Sequence, residues 1–244
     1  MAAAVTAMRR QRSNKVLFVL ACTLVSAALV LFTACAPERV ERIEETLPVE
    51  DIPYTWVLDY TQDMQLPELP TGCEATAAST LLRMNGKYVT KQEVADAMPK
   101  SESDFVYAFL GDPYSYSGWA CSAPCVTNTI NGFCEFEEKI AAVEMTGTPL
   151  AELPLPAAVW VSIDLVDPEE PVRVVDGYGL YRNSHCMVVR EVSDTGVSVI
   201  DPLGGDPVYD RATFESVYDA MGRQAVYVSD LKTIIQITNE RGMG

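Results

Sequence analysis

Four basic residues, Arg9, Arg10, Arg12 and Lys15, stand just ahead of an unbroken run of apolar and small residues, Val16 to Phe32 (VLFVLACTLVSAALVLF). Positive charge followed by an apolar run is the pattern of an export signal, so residues 1–34 are set apart from the fold as a signal peptide or an amino-terminal membrane anchor. The run falls a little short of the ~20 residues that span a bilayer comfortably. Whatever follows it is expected to fold outside the cytoplasm, in an oxidising compartment where thiols tend to pair. Residues 35–53, which include the charged stretch APERVERIEETLPVEDIP with its three prolines, read as a tether. That leaves residues 54–244 for one folded domain, and a composition of 48% hydrophobic and 9% aromatic residues is enough for a core of that size.

The end of the apolar run, Phe32-Thr33-Ala34-Cys35 followed by Ala36, resembles a bacterial lipobox with Phe where Leu is usual. That resemblance implies cleavage before Cys35 and a lipid on its thiol; an uncleaved single span is the alternative. Either way the expected location is the extracytoplasmic face of the cell membrane, with the membrane engaged through the amino-terminal end. Setting aside the four basic residues of the signal leaves 14 Lys and Arg against 34 Asp and Glu. So acidic a surface repels phosphate backbones and excludes nucleic acid as a partner.

Of seven cysteines, Cys22 and Cys35 belong to the signal and the anchor. Cys73, Cys121, Cys125, Cys134 and Cys186 remain, an odd number, so disulfides with one thiol left free are expected. Cys121 and Cys125, with Cys134 and either His185 or Cys186, also have a spacing that zinc could use, and outside the cell disulfides are the preferred reading of the two.

Thr71 and Glu74 have the spacing of a capping box, followed by a helical apolar face of Ala75, Ala77, Ala78, Leu81 and Leu82 that stops at Asn85-Gly86. Thr90 and Glu93 repeat the box for a helix over 91–98. Further helices are expected over 122–131, 135–145 and 211–221. Ala158 to Ile163, Cys186 to Val192, Val197 to Ile200 and Gln224 to Val228 are short, rich in Val and Ile, and bounded by turn residues, as strands are. Helices first and an antiparallel sheet later predict an α+β domain.

Cys73 falls in the first turn of its helix, where the amide dipoles favour a thiolate over a thiol of ordinary pKa ~8.5. A small buried cysteine packed like alanine is the plainer use of such a position. An activated cysteine needs a base brought to it by the fold, and His185, which opens the strand HCMVVREV, is the chain's one histidine. The next strand, VSVIDPLGG, pairs with it as a hairpin and ends at Asp201, where a carboxylate can fix the imidazole tautomer; Asp-Pro is also a good turn former.

Taken in order, QLPELPTGCEATAASTLLRMNG, FLGDPYSYSGWACSAP, SHCMVVREV and VIDPLGG resemble the C39-like family of papain-fold cysteine peptidases, from about Tyr54 to about Val228. The resemblance implies a papain-like fold with Cys73 as nucleophile, His185 as general base and acid, and Asp201 orienting His185. It also implies an upstream glutamine in the oxyanion hole, Gln65 by spacing with Gln62 as a near alternative. It implies no cofactor and no metal, and an enzyme tethered outside the cytoplasm is expected to act on surface or secreted polypeptides or on cell-wall peptides. The block from Phe109 to Pro124 would form a cleft wall, with Tyr114, Tyr116 and Trp119 as candidate substrate contacts. On a strand Cys186 points opposite to His185, so a disulfide from it to Cys121, Cys125 or Cys134 would spare Cys73. Two other readings keep the fold: a catalytically silent surface binding module, and an acyl or peptidyl transferase.

Overall fold

The computed structural model describes residues 63–134 and 140–240. The export signal, Cys35, the tether and Gln62 lie outside the described residues. Among the described residues no helix is long and apolar enough to cross a membrane.

The helices, in chain order, are α1 (Cys73–Met84), α2 (Lys91–Ala97), α3 (Ala123–Phe133), α4 (Arg211–Ala220) and α5 (Leu231–Glu240). The strands are β1 (Lys100–Ser101), β2 (Phe109–Leu110), β3 (Ile140–Glu144), β4 (Ala157–Ser162), β5 (Arg173–Val175), β6 (Tyr178–Leu180), β7 (Ser184–Val192), β8 (Gly196–Ile200), β9 (Val208–Asp210) and β10 (Ala225–Asp230). Six of them form one antiparallel sheet in the order β3-β10-β4-β7-β8-β9. The chain is therefore α+β, with three helices ahead of the sheet that carries most of its second half.

Both faces of that sheet are covered, which explains why every residue of the central strand β4 is buried. Alternate residues divide between two cores. Ala158, Trp160, Cys186, Val188, Val226 and Val228 pack under α1, α2 and α3. Val159, Val161, Met187, Val189, Ala225 and Tyr227 pack with Phe214, Val217 and Tyr218 of α4. The period of two in β4, β7 and β10 thus assigns each side chain to a layer.

Local chemistry fixes several ends. Thr90 and Glu93 make both bonds of the expected capping box at α2. At α1 the expected box does not form: Gly72 is the N-cap, without a side-chain cap bond. A Cβ on Gly72 would sit 2.6 Å from Leu69 Cβ, so only glycine lets the preceding turn pack this close. The Thr71 hydroxyl instead donates to Ser115 O at 3.1 Å, drawing in a loop from 44 residues away. A second correction concerns 135–145, read as a helix: residues 140–144 are strand β3, an edge strand paired with β10, and Asn131 of α3 clamps Ala142 through its side chain in both directions. Non-local pairing here overrides a helical periodicity.

Candidate active site

Three structural features converge at one end of the sheet. The first is the start of β7, where His185 is 2% exposed and its Nε2 lies 2.7 Å from Asp201 Oδ1. The hairpin pairing of β7 with β8 brings Asp201, just past the end of β8, back beside the beginning of β7. Asp201 is held in turn. Its Oδ1 also accepts from Leu203 N at 2.8 Å, and its Oδ2 accepts from the Tyr209 hydroxyl at 3.2 Å. Burial pushes the Asp201 carboxyl up, but the His185 hydrogen bond and charge, with Leu203 and Tyr209, outweigh it and hold the group below its ordinary value. With Nε2 engaged by Asp201, Nδ1 is the ring nitrogen left for another partner.

The second feature is the start of α1. Cys73 is its first residue, 6% exposed, and its backbone amide has no carbonyl one turn earlier in the helix to receive it. Its thiol lies against the Cys186 amide, next in sequence to His185, but its hydrogen bond runs to Glu74 Oε2 at 3.1 Å and not to the imidazole. Glu74 is fully buried, and its Oε1 accepts from Cys121 N at 3.1 Å. The thiol therefore does not sit in the simple field of a helix terminus. Burial pushes it well above its ordinary value, and the Glu74 and Cys186 groups add to the rise, against a smaller pull from the Cys186 amide. Burial likewise raises Glu74, against its own backbone amide, the Cys73 and Cys121 hydrogen bonds and the charge of His185.

The third feature is the segment 63–70. Gln65 is 3% exposed, its N–H donates to Pro202 O at 2.9 Å, and its Nε2 donates to Pro70 O at 3.0 Å. The backbone bond ties this segment to the turn that follows Asp201. Gln65 Oε1 is buried with no partner. Lys91, 4% exposed, anchors the segment from α2 by pairing with Glu68 at 2.9 Å and Asp63 at 3.3 Å and by donating to Met64 O.

The cleft-wall candidates divide in use. The Tyr114 hydroxyl donates to Asp96 Oδ1 at 2.9 Å, which fastens the loop to α2; burial and Asp96 together push that phenol up to about 12. Tyr116 is 86% exposed, and Trp119 stacks under Arg182 with its ring 5.8 Å from the guanidinium carbon. A Cβ on Gly118 would meet Asp112 O at 2.3 Å and Thr71 Oγ1 at 2.4 Å, so this loop lies directly on the turn that precedes Cys73.

The cysteine expectations are corrected. Cys73, Cys121, Cys125 and Cys186 are all free thiols. The four buried ones share the core under the helices and pack as small apolar groups. Among the described residues no group of His, Cys, Asp and Glu could hold a metal ion, which sets aside the zinc alternative. Sequence reasoning also missed three residues of this site. By spacing Glu74 is a cap, although an acid directly after the candidate nucleophile on an otherwise small and apolar face is a visible signal. Tyr209 and Lys91 carried none.

The model of the Peptidase_C39 like family matches residues 54–226. The crystal structure of a C39-like peptidase candidate from Bacillus anthracis superposes with a TM-score of 0.58 at 23% identity, covering 77% of this chain and 98% of its own. A double glycine motif protease from an AMS/PCAT transporter, solved in complex with the leader peptide, gives 0.44 at 15% identity over 68% of this chain and 89% of its own. The peptidase domain of Streptococcus ComA, a bifunctional ABC transporter of a quorum sensing pathway, gives 0.44 at 10% identity over 69% and 96%. No curated protein matches the chain.

Proposed function

The chain belongs to the Peptidase_C39 like family, and from that premise we propose that it is a cysteine peptidase that hydrolyses peptide bonds through Cys73, His185 and Asp201, with Gln65 completing the oxyanion hole. The observation that carries this reading is the buried His185–Asp201 pair, 2.7 Å apart, one residue along β7 from the amide against which the Cys73 thiol packs.

The steps follow from the atoms available. Nε2–H of His185 donates to Asp201, so Nδ1 takes the proton of the Cys73 thiol, and the resulting imidazolium is paired with the Asp201 carboxylate. The thiolate attacks the scissile carbonyl carbon. Its oxygen, now negative, accepts from the free Cys73 N–H and from Gln65 Nε2, each such donor contributing about 3 kcal/mol. Collapse of the tetrahedral intermediate breaks the C–N bond as the Nδ1 proton passes to the leaving amine. A water then loses a proton to Nδ1 and adds to the thioester carbonyl, the C–S bond breaks, and the proton returns to sulfur.

The export pattern of residues 9–32 supports an enzyme held on the outer face of the membrane, and polypeptides or the peptides of the cell wall as substrates. The test uses the full chain in detergent with an unstructured polypeptide and with cell-wall cross-bridge peptides. Hydrolysis of either, lost in Cys73→Ala and in His185→Ala, is expected. Hydrolysis that survives Cys73→Ala, or binding of both substrates with no cleavage, overturns the reading. Amide products formed with an added amine would assign transfer in place of hydrolysis. Mass analysis of the membrane-derived amino terminus expects a lipid-bearing Cys35; a chain that retains residues 1–34 gives the uncleaved anchor.

A further inference from the structure

The buried carboxylate of Glu74 has no part in the steps above, yet it touches the atom that reacts. It is 0% exposed, one residue from the nucleophile, and both of its oxygens are occupied, Oε2 by the Cys73 thiol at 3.1 Å and Oε1 by Cys121 N–H at 3.1 Å. No Lys or Arg salt bridge reaches it among the described residues. A neutral side chain could hold the Cys121 amide equally well, so the acid is not explained by that bond, and an ionisable group costs stability when buried without a cation.

Resting on the peptidase reading, we propose that Glu74 is a positioning residue that keeps the Cys73 thiol protonated in the resting chain. The thiol exchanges one acceptor, Glu74 Oε2, for another, His185 Nδ1, when it reacts.

The proton balance is simple. In the resting chain the S–H proton stays on sulfur and points at Oε2. When sulfur turns to the imidazole that proton moves to Nδ1, the S–H bond breaks, and Glu74 keeps its Cys121 bond. A negative charge on Glu74 opposes a second one on sulfur, so the carboxylate suppresses thiolate until the imidazolium balances it. Burial adds to this by raising the thiol itself. The groups that face Glu74 are Cys73 on α1, Cys121 ahead of α3 with Cys125 behind it, and His185 and Cys186 on β7, with Asp201 beyond His185. Of these only His185 can supply positive charge. A device of this kind keeps an exported thiol unreactive toward stray electrophiles and disulfides.

The test reads Cys73 alkylation by a neutral haloacetamide, followed by peptide mass mapping from pH 5 to 9 on the full chain in detergent. Glu74→Gln keeps the shape and an oxygen for the Cys121 amide but removes the charge. Its profile is expected to move to lower pH, with the rate at pH 6.5 rising about tenfold, the equivalent of about one pKa unit. A folded Glu74→Gln chain with the wild-type profile overturns the proposal. The wild-type chain carries an independent test: at pH 6 folded Cys73 should react more slowly than the same thiol in urea, and faster reaction overturns the proposal. Hydrolysis on the same samples separates the two claims. Cys73-dependent hydrolysis with an unmoved Glu74→Gln profile removes only the Glu74 proposal. A shifted profile with no hydrolysis in any sample removes only the peptidase reading.

Discussion

Asp201→Asn isolates charge from shape at the imidazole. The wild-type carboxylate accepts from His185 Nε2 at 2.7 Å, Leu203 N at 2.8 Å and the Tyr209 hydroxyl at 3.2 Å. An asparagine oxygen can keep the first two, while its NH2 group donates to a Tyr209 hydroxyl that rotates to receive it, so the variant should fold. What it loses is a negative charge beside the imidazolium that the reaction passes through. A hydrogen bond to a charged group contributes about 1.5–3 kcal/mol and a neutral one about 0.5–1.5. The difference, about 1.5 kcal/mol, sets a floor of roughly tenfold in kcat/KM. Coulomb attraction at that distance, under an effective dielectric of about 20, sets a ceiling near 6 kcal/mol, or about 10⁴-fold. The assay is kcat/KM at neutral pH on the polypeptide the wild type cleaves, with melting curves followed down to pH 3. Because the folded carboxyl lies below its ordinary value of 3.8, its stabilising contribution is complete above the unfolded value. It is lost as pH falls through the lower folded value. The wild type should therefore lose stability below about pH 4 that Asp201→Asn does not lose. A variant within twofold of wild-type kcat/KM, or one with the same loss in acid, refutes the argument.

Gln65→Ala should reduce kcat by about 10²-fold as the proposed oxyanion donor goes, and it should also cost about 1–3 kcal/mol in unfolding, since the buried side chain's bond to Pro70 O is lost while the Gln65 N–H bond to Pro202 O stays. The same loss in Gln62→Ala, with Gln65→Ala unaffected, would move the role to the other glutamine. Trp160→Phe keeps most of the buried ring but removes the Nε1 bond to Cys121 O at 2.9 Å and leaves that carbonyl unpaired. It should cost about 1–3 kcal/mol in denaturant unfolding, and an unchanged unfolding midpoint would contradict that reading.

What was legible in the sequence is what local chemistry decides. Thr90 and Glu93 form their box because each meets the other within one helical turn, and Arg211 to Ala220 is helical where its apolar period placed it. The Val- and Ile-rich segments became strands because both faces of the sheet are buried and every position there favours a branched apolar residue. The shortest strands left no period to read. Asp176-Gly177, with both residues at positive φ between β5 and β6, nevertheless carried the signal of a two-residue hairpin turn.

What was not legible was decided at long range, and the TGCE block shows how. By spacing alone Thr71 and Glu74 are a capping box, and Cys73 is a thiol in the field of a helix terminus. The fold removes each residue from that role with a partner far along the chain: Ser115 O takes the Thr71 hydroxyl, and the Cys121 amide takes Glu74. Once Glu74 is turned inward its charge faces sulfur rather than solvent. The stretch that promised a depressed thiol pKa instead holds a raised one. The same inversion accounts for the cysteines, since an odd set of thiols argues for pairing by count alone, before the fold has placed any of them. Packed among Ala75, Ala78, Trp160 and Val188, they behave as the small apolar residues their burial makes them. Charge and burial at this site are properties of the assembled layers, and no spacing rule applied to residues 71–74 contains them.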